Sequence, residues 1–158
     1  MKRYSKRSMR LIGRQTGFSL MELMVTLATL AILAAIVIPN MIAWRNNSQF
    51  GAAVRQVKST IDGMRMAAIR TNLPTTVSFN NTGTFTTQTN GIVAGAAVPN
   101  AAVNRQLPAG VTVFSNIDPA PLTFNNRGLA TPCTVTVQHT NGLFNQIAVA
   151  ITGSSRIQ

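Results

Sequence analysis

Acidic residues are scarce in this 158-residue chain: Glu22, Asp62 and Asp118 stand against 14 Lys and Arg, for a formal charge of +11. Cysteine and histidine occur once each. Each shortage removes a class of chemistry. The single cysteine, Cys133, forms no intrachain disulfide. No His or acid stands near it in sequence to activate the thiol, so it reads as a small, half-buried residue at a strand end. A metal site needs clustered ligands, and a nucleophile needs a base with an orienting partner. His139 follows Cys133 at a distance in a turn-like stretch with no conventional acid beside either. No P-loop or dinucleotide fingerprint is present. The expectation is a protein that is not an enzyme and that uses no metal and no cofactor.

What the chain does have is unevenly placed. Lys2, Arg3, Lys6, Arg7, Arg10 and Arg14 put +6 before residue 18, leaving a mildly basic +5 for residues 18–158. Behind that leader comes FSLMELMVTLATLAILAAIVIP, residues 18–39, which as a helix spans about 33 Å and matches the hydrocarbon core of a bilayer. Six positive charges before the run hold its N-terminus in the cytoplasm and send the rest of the chain across. A secretory signal has a shorter apolar core with a small-residue cleavage site after it. Here the small residue, Gly17, sits before the run, so a cut there keeps the helix and discards the charges. Inside the run, Glu22 is the only charge. A carboxylate in a membrane helix costs about 2.5–3.5 kcal/mol on insertion scales, so it marks a functional, paired group.

The string GFSLMELMVTLATLAILAAIVIPN closely resembles the N-terminus of type IV pilins and of the pseudopilins of type II secretion. That pattern is a basic leader, Gly, Phe, three mostly apolar residues, Glu, then a helix. The resemblance implies that a prepilin peptidase cuts between Gly17 and Phe18 and N-methylates the new amine of Phe18. It also implies that Glu22 helps dock the subunit into a growing filament of other pilins, and that Pro39 loosens the helix. The cut creates a positive amine about one helical turn from Glu22. That amine pairs with Glu22 of its own chain or of a staggered neighbour, and neutralising both charges in low dielectric favours the register.

Pro39 removes one intrahelical hydrogen bond, so a kink or short melted stretch is expected there. Trp44 and Arg45 suit the outer membrane interface. Phe50, Val54, Val57, Ile61, Met64 and Ala68 then recur at spacings of four and three, one helical stripe. The helix is expected to end near Asn72, before Pro74. Asp62 lies four after Lys58 and three before Arg65 and can pair with either on a solvated face; a basic groove for nucleic acid is the sharper alternative. Residues 76–88 read as a β-hairpin, and short strands follow at 111–114, 122–124, 134–138 and 146–151. The Gly-, Ala-, Asn- and Pro-rich stretch 89–110 reads as a long loop. NNRG at 125–128 and HTNG at 139–142 are turn candidates.

The expected class is α+β and pilin-like: a long N-terminal helix packed against a C-terminal antiparallel sheet domain. The segments are a basic leader 1–17, a transmembrane and filament-core helix 18–43, an amphipathic second half 44–72, and a β-rich domain 73–158. Within the pilins, MRMAAIRTNLPTTVSF, LTFNNRG and QIAVAITGSSR resemble the FimT/GspH family of minor pilins and pseudopilins. The resemblance implies inner-membrane insertion with the C-terminal domain in the periplasm, then incorporation into a pilus or a type II secretion pseudopilus. The missing C-terminal cysteine pair argues against a major pilin. In FimT-type pilins that bind DNA for natural transformation, the resemblance centres on a C-terminal Gly-Arg-x-Arg. Here that string is Gly153, Ser154, Ser155, Arg156, one cation short. Non-specific DNA affinity grows with the number of phosphates neutralised. A DNA contact then rests on Arg156 with Arg127 and Arg105, if folding joins them; scattered surface arginines are the alternative.

Overall fold

The computed structural model describes residues 17–158; all of the leader but Gly17, residues 1–16, lies outside them. The chain divides into two compact units, one ending at Ile42 and one spanning Ala43–Gln158. A single helix, α1 (Leu20–Thr71), contributes to both. Its assignment continues through Pro39, so no melted stretch interrupts it. In the first unit every described residue is exposed. Thr26 and Thr29 donate their hydroxyls to the carbonyls of Leu23 and Thr26. The threonine hydroxyls of this apolar segment are thus satisfied within the helix, as a non-aqueous surrounding requires.

In the second unit α1 buries the expected stripe, Phe50, Val54, Val57, Ile61, Met64 and Ala68, with Ala53 added. These side chains form one core with two antiparallel sheets. Sheet one contains β1 (Thr75–Phe79), β2 (Thr84–Val93), β3 (Ala96–Pro99), β4 (Val103–Gln106) and β6 (Leu122–Phe124), and sheet two contains β5 (Val111–Ser115), β7 (Cys133–His139), β8 (Phe144–Val149) and β9 (Ser155–Ile157). Strict alternation fills the core: Val77, Phe79, Phe85, Leu122 and Phe124 from sheet one, and Val111, Val113, Val135, Val137 and Ile147 from sheet two.

The stretch 89–110 is not a loop. Val93 and Ala96 are joined by Ala94 and Gly95, both at positive φ, 50° and 81°, the signature of a type I′ hairpin turn. Against β2, Asn90 faces Pro99 while Thr87 faces Val103. Three steps along β2 therefore correspond to four along its partner, and β3 and β4 are one strand with a one-residue bulge between them. Asn100 fixes the bulge: its backbone N–H donates to the Thr89 carbonyl at 2.9 Å and its side-chain amide to Thr89 Oγ1 at 3.0 Å.

Candidate functional site

At the start of α1 the residues Gly17, Phe18 and Ser19 are exposed and non-helical. Ser19 caps the helix: its Oγ accepts the Met21 N–H at 3.2 Å and its carbonyl accepts the Leu23 N–H at 3.2 Å. Glu22 is then the third helical residue, and Ser19 to Glu22 spells the S-x-x-E capping box. This local role was readable in the sequence and is separate from the docking role that the resemblance implies. The helix dipole favours a carboxylate in the first turn. That contribution is smaller than the cost of placing the charge in hydrocarbon, so it does not remove the need for a cationic partner. Among the described residues the one ion pair is Lys58–Asp62 at 2.6 Å, and Glu22 is in none.

A second locus lies in the β domain, where the three FimT/GspH-like strings meet. Arg65, on the helix string, donates its Nε–H to the Gly128 carbonyl at 3.2 Å. Gly128 ends the LTFNNRG turn at φ 77°, and a Cβ there would lie 2.7 Å from Ile69 Cδ1. Gly153, of the ITGSSR string, sits at φ 75°, and a Cβ on it would overlap the Gly128 carbonyl oxygen. Two residues onward, Ser155 Oγ donates to Asp62 Oδ1 at 2.5 Å. Asp62 thus takes Lys58 on one oxygen and Ser155 on the other, rather than Arg65. The three weak strings are one interlocked packing device that fixes the last strand, β9, to the helix.

The arginines singled out for DNA do not all converge. Strand order β4-β2-β1-β6 puts Arg105, on β4, at one edge of sheet one, and Arg127, just after β6, at the other. Three strand spacings, roughly 14 Å, separate those edges. The turn carrying Arg127 touches the turn that leads to Arg156 through Gly128 and Gly153. Arg127 and Arg156 are therefore on neighbouring segments, and Arg105 stands apart. All three are exposed.

Cys133 and His139 are buried at opposite ends of β7. Burial pushes the Cys133 thiol up to about 11, which keeps it protonated and inert. His139 is the last residue of its strand rather than part of an exposed turn. Its Nδ1 accepts the Asn141 N–H at 3.1 Å, and its ring stands edge-on to Phe50. No group of three potential metal ligands occurs among the described residues.

No family model matches the chain, and no curated protein does. Solved structures do. The type IV minor pilin FimU of Pseudomonas aeruginosa aligns over 73% of this chain and 92% of its own, with a TM-score of 0.56 at 13% identity. The fold is that of the minor pilins and pseudopilins. The minor pseudopilin EpsH from the type 2 secretion system of Vibrio cholerae aligns over 70% of this chain and 96% of its own, with a TM-score of 0.56 at 16% identity. The pilin-like domain accordingly reproduces the arrangement expected of the sequence, a long helix against antiparallel sheets.

Proposed function

We propose that the chain is a minor pilin or pseudopilin, a structural or priming subunit of a pilus or pseudopilus. A prepilin peptidase cuts it between Gly17 and Phe18 and methylates Phe18. It waits in the inner membrane with its N-terminus cytoplasmic and its domain periplasmic, and Glu22 then docks it among other pilins. One observation carries this reading. A pilin fold is joined to an apolar helical segment whose every residue is exposed, with Leu20, Met21 and Ile36 between 69% and 76% accessible. Such a surface needs hydrocarbon or sister helices around it. In that setting Pro39 is a site where the helix yields on assembly.

The reading is tested by two variants. Gly17→Ala blocks cleavage, and Glu22→Ala is cut and methylated but is depleted from sheared filaments. Mass spectrometry of the N-terminus and immunoblots of the sheared fraction read both. Normal maturation of Gly17→Ala together with full recovery of Glu22→Ala in filaments refutes the proposal. A DNA-uptake role is a second reading, supported by the neighbouring segments that carry Arg127, in the turn after β6, and Arg156, on β9. It predicts salt-dependent DNA binding that Arg156→Gln abolishes.

A further inference from the structure

The start of α1 and the bond proposed for cleavage compete for one carbonyl. In an α-helix each N–H donates to the carbonyl four residues back, so a helix that began one turn earlier would pair the Met21 N–H with the carbonyl of Gly17. That carbonyl belongs to the Gly17–Phe18 peptide. In the structure the pairing is intercepted. The Met21 N–H donates to Ser19 Oγ at 3.2 Å, the Leu23 N–H donates to the Ser19 carbonyl at 3.2 Å, and Gly17, Phe18 and Ser19 stay exposed and non-helical. Among the described residues no donor takes the Gly17 carbonyl.

The setting makes this cap decisive. Leu20 opens an apolar segment suited to hydrocarbon, where water does not satisfy an unpaired N–H, so an orphan donor at Met21 draws the helix back toward residue 17. Gly17, a poor helix former, opposes that extension, and Ser19 removes the donor that drives it. Hydrolysis of the peptide adds water to the Gly17 carbonyl carbon and breaks its bond to the Phe18 nitrogen, leaving a carboxylate on Gly17 and an amine on Phe18. A peptide bond wound into a helix must first open to be cut, and the rate then follows the population of the open form. We propose that Ser19 is a positioning residue for this cut: by capping Met21 it keeps the Gly17 carbonyl out of the helix and holds the Gly17–Phe18 bond open to the prepilin peptidase. Serine does this without the charge that an aspartate cap would bring beside hydrocarbon. The inference rests on the processing reading above and adds to it the residue that presents the bond.

The test is the initial rate at which a prepilin peptidase cuts the full chain in dodecyl maltoside micelles, read by mass spectrometry of the new N-terminus. Replacing a serine cap by alanine shifts a helix-start equilibrium about fivefold. Ser19→Ala is therefore cut about threefold to fivefold more slowly below saturation, yet goes to completion. Ser19→Asn, an equally good cap that has no hydroxyl, is cut at close to the wild-type rate. In the same micelles the carbon-13 shifts of Gly17 and Phe18 move toward helical values in Ser19→Ala and not in Ser19→Asn. Both variants keep the wild-type melting point of the 43–158 domain, which does not include residue 19. A wild-type chain left uncut at this bond refutes the processing reading, and the inference falls with it. A wild-type chain that is cut no faster than Ser19→Ala overturns the inference alone. Slow cutting of Ser19→Ala and Ser19→Asn alike also overturns it, because the peptidase would then be reading the hydroxyl itself.

Discussion

Replacing Gly153 by alanine removes no contact, yet the structure makes it one of the most damaging single changes available. The residue lies at φ 75°, and a Cβ there overlaps the Gly128 carbonyl oxygen and comes within 2.7 Å of Arg65 Nε. Left-handed backbone costs a non-glycine residue about 1–2 kcal/mol. Separating the two turns also breaks the Arg65 to Gly128 bond. A hydrogen bond to a charged group is worth about 1.5–3 kcal/mol, and the lower end applies because Arg65 is only half-buried. The expected loss is about 2.5–3.5 kcal/mol, a large share of the roughly 5–15 kcal/mol that stabilises a typical domain. At roughly 4 °C per kcal/mol this lowers the melting point of the 43–158 domain by about 10–14 °C. Gly142→Ala is the control, because Gly142 has φ 92° but no atom within 4 Å of the position its new methyl group would take; it loses only the backbone component. Thermal melts of the two variants therefore differ by about 1.5 kcal/mol. Equal destabilisation would show that the close approach of the two turns contributes nothing.

Two further outcomes follow from the same domain. Ser155→Ala removes the bond to Asp62 and costs about 1–2 kcal/mol in urea unfolding, with Asp62 still held by Lys58. Cys133 titrates near 11 when folded, above its value of 9.0 without burial. The folded state holds the thiol proton more tightly, so this contribution is intact below pH 9 and declines as pH rises toward 11, by about 2–3 kcal/mol in all. Cys133→Ala flattens that part of the decline in urea titrations between pH 8 and 11, and an identical pH dependence in both proteins refutes it.

The parts of the fold that bury a regular face were legible in the sequence. The stripe from Phe50 to Ala68 and the alternation in β1, β5 and β7 are records of burial, and each is matched by a buried side chain. The hairpin arm formed by β3, β4 and the end of β2 left no such record, for the complementary reason. Every residue from Ile92 to Gln106 is exposed, so no face of the arm imprints a period on the sequence. What holds it is backbone pairing and Asn100, neither of which alternates. Gly128 and Gly153 were visible as members of family-like strings, but their mutual contact joins distant parts of the chain and no local pattern announces it. Ser19 was the reverse case: the capping box is written in four consecutive residues, and its glutamate is the residue proposed for docking.

The clamp of β9 onto α1 also sets a schedule. Asp62 and Ser155 are 93 positions apart, and the turn at Gly153 must be seated before Arg65 finds its carbonyl. A helix synthesised early is thus waiting for a strand made late, and contacts of such long range form slowly. Until residue 155 has emerged, the stripe from Phe50 to Ala68 lacks part of its covering and is exposed to the wrong partners. The domain is therefore completed only once its last strand is available, and whatever protects the chain before then must cover the apolar side of the helix.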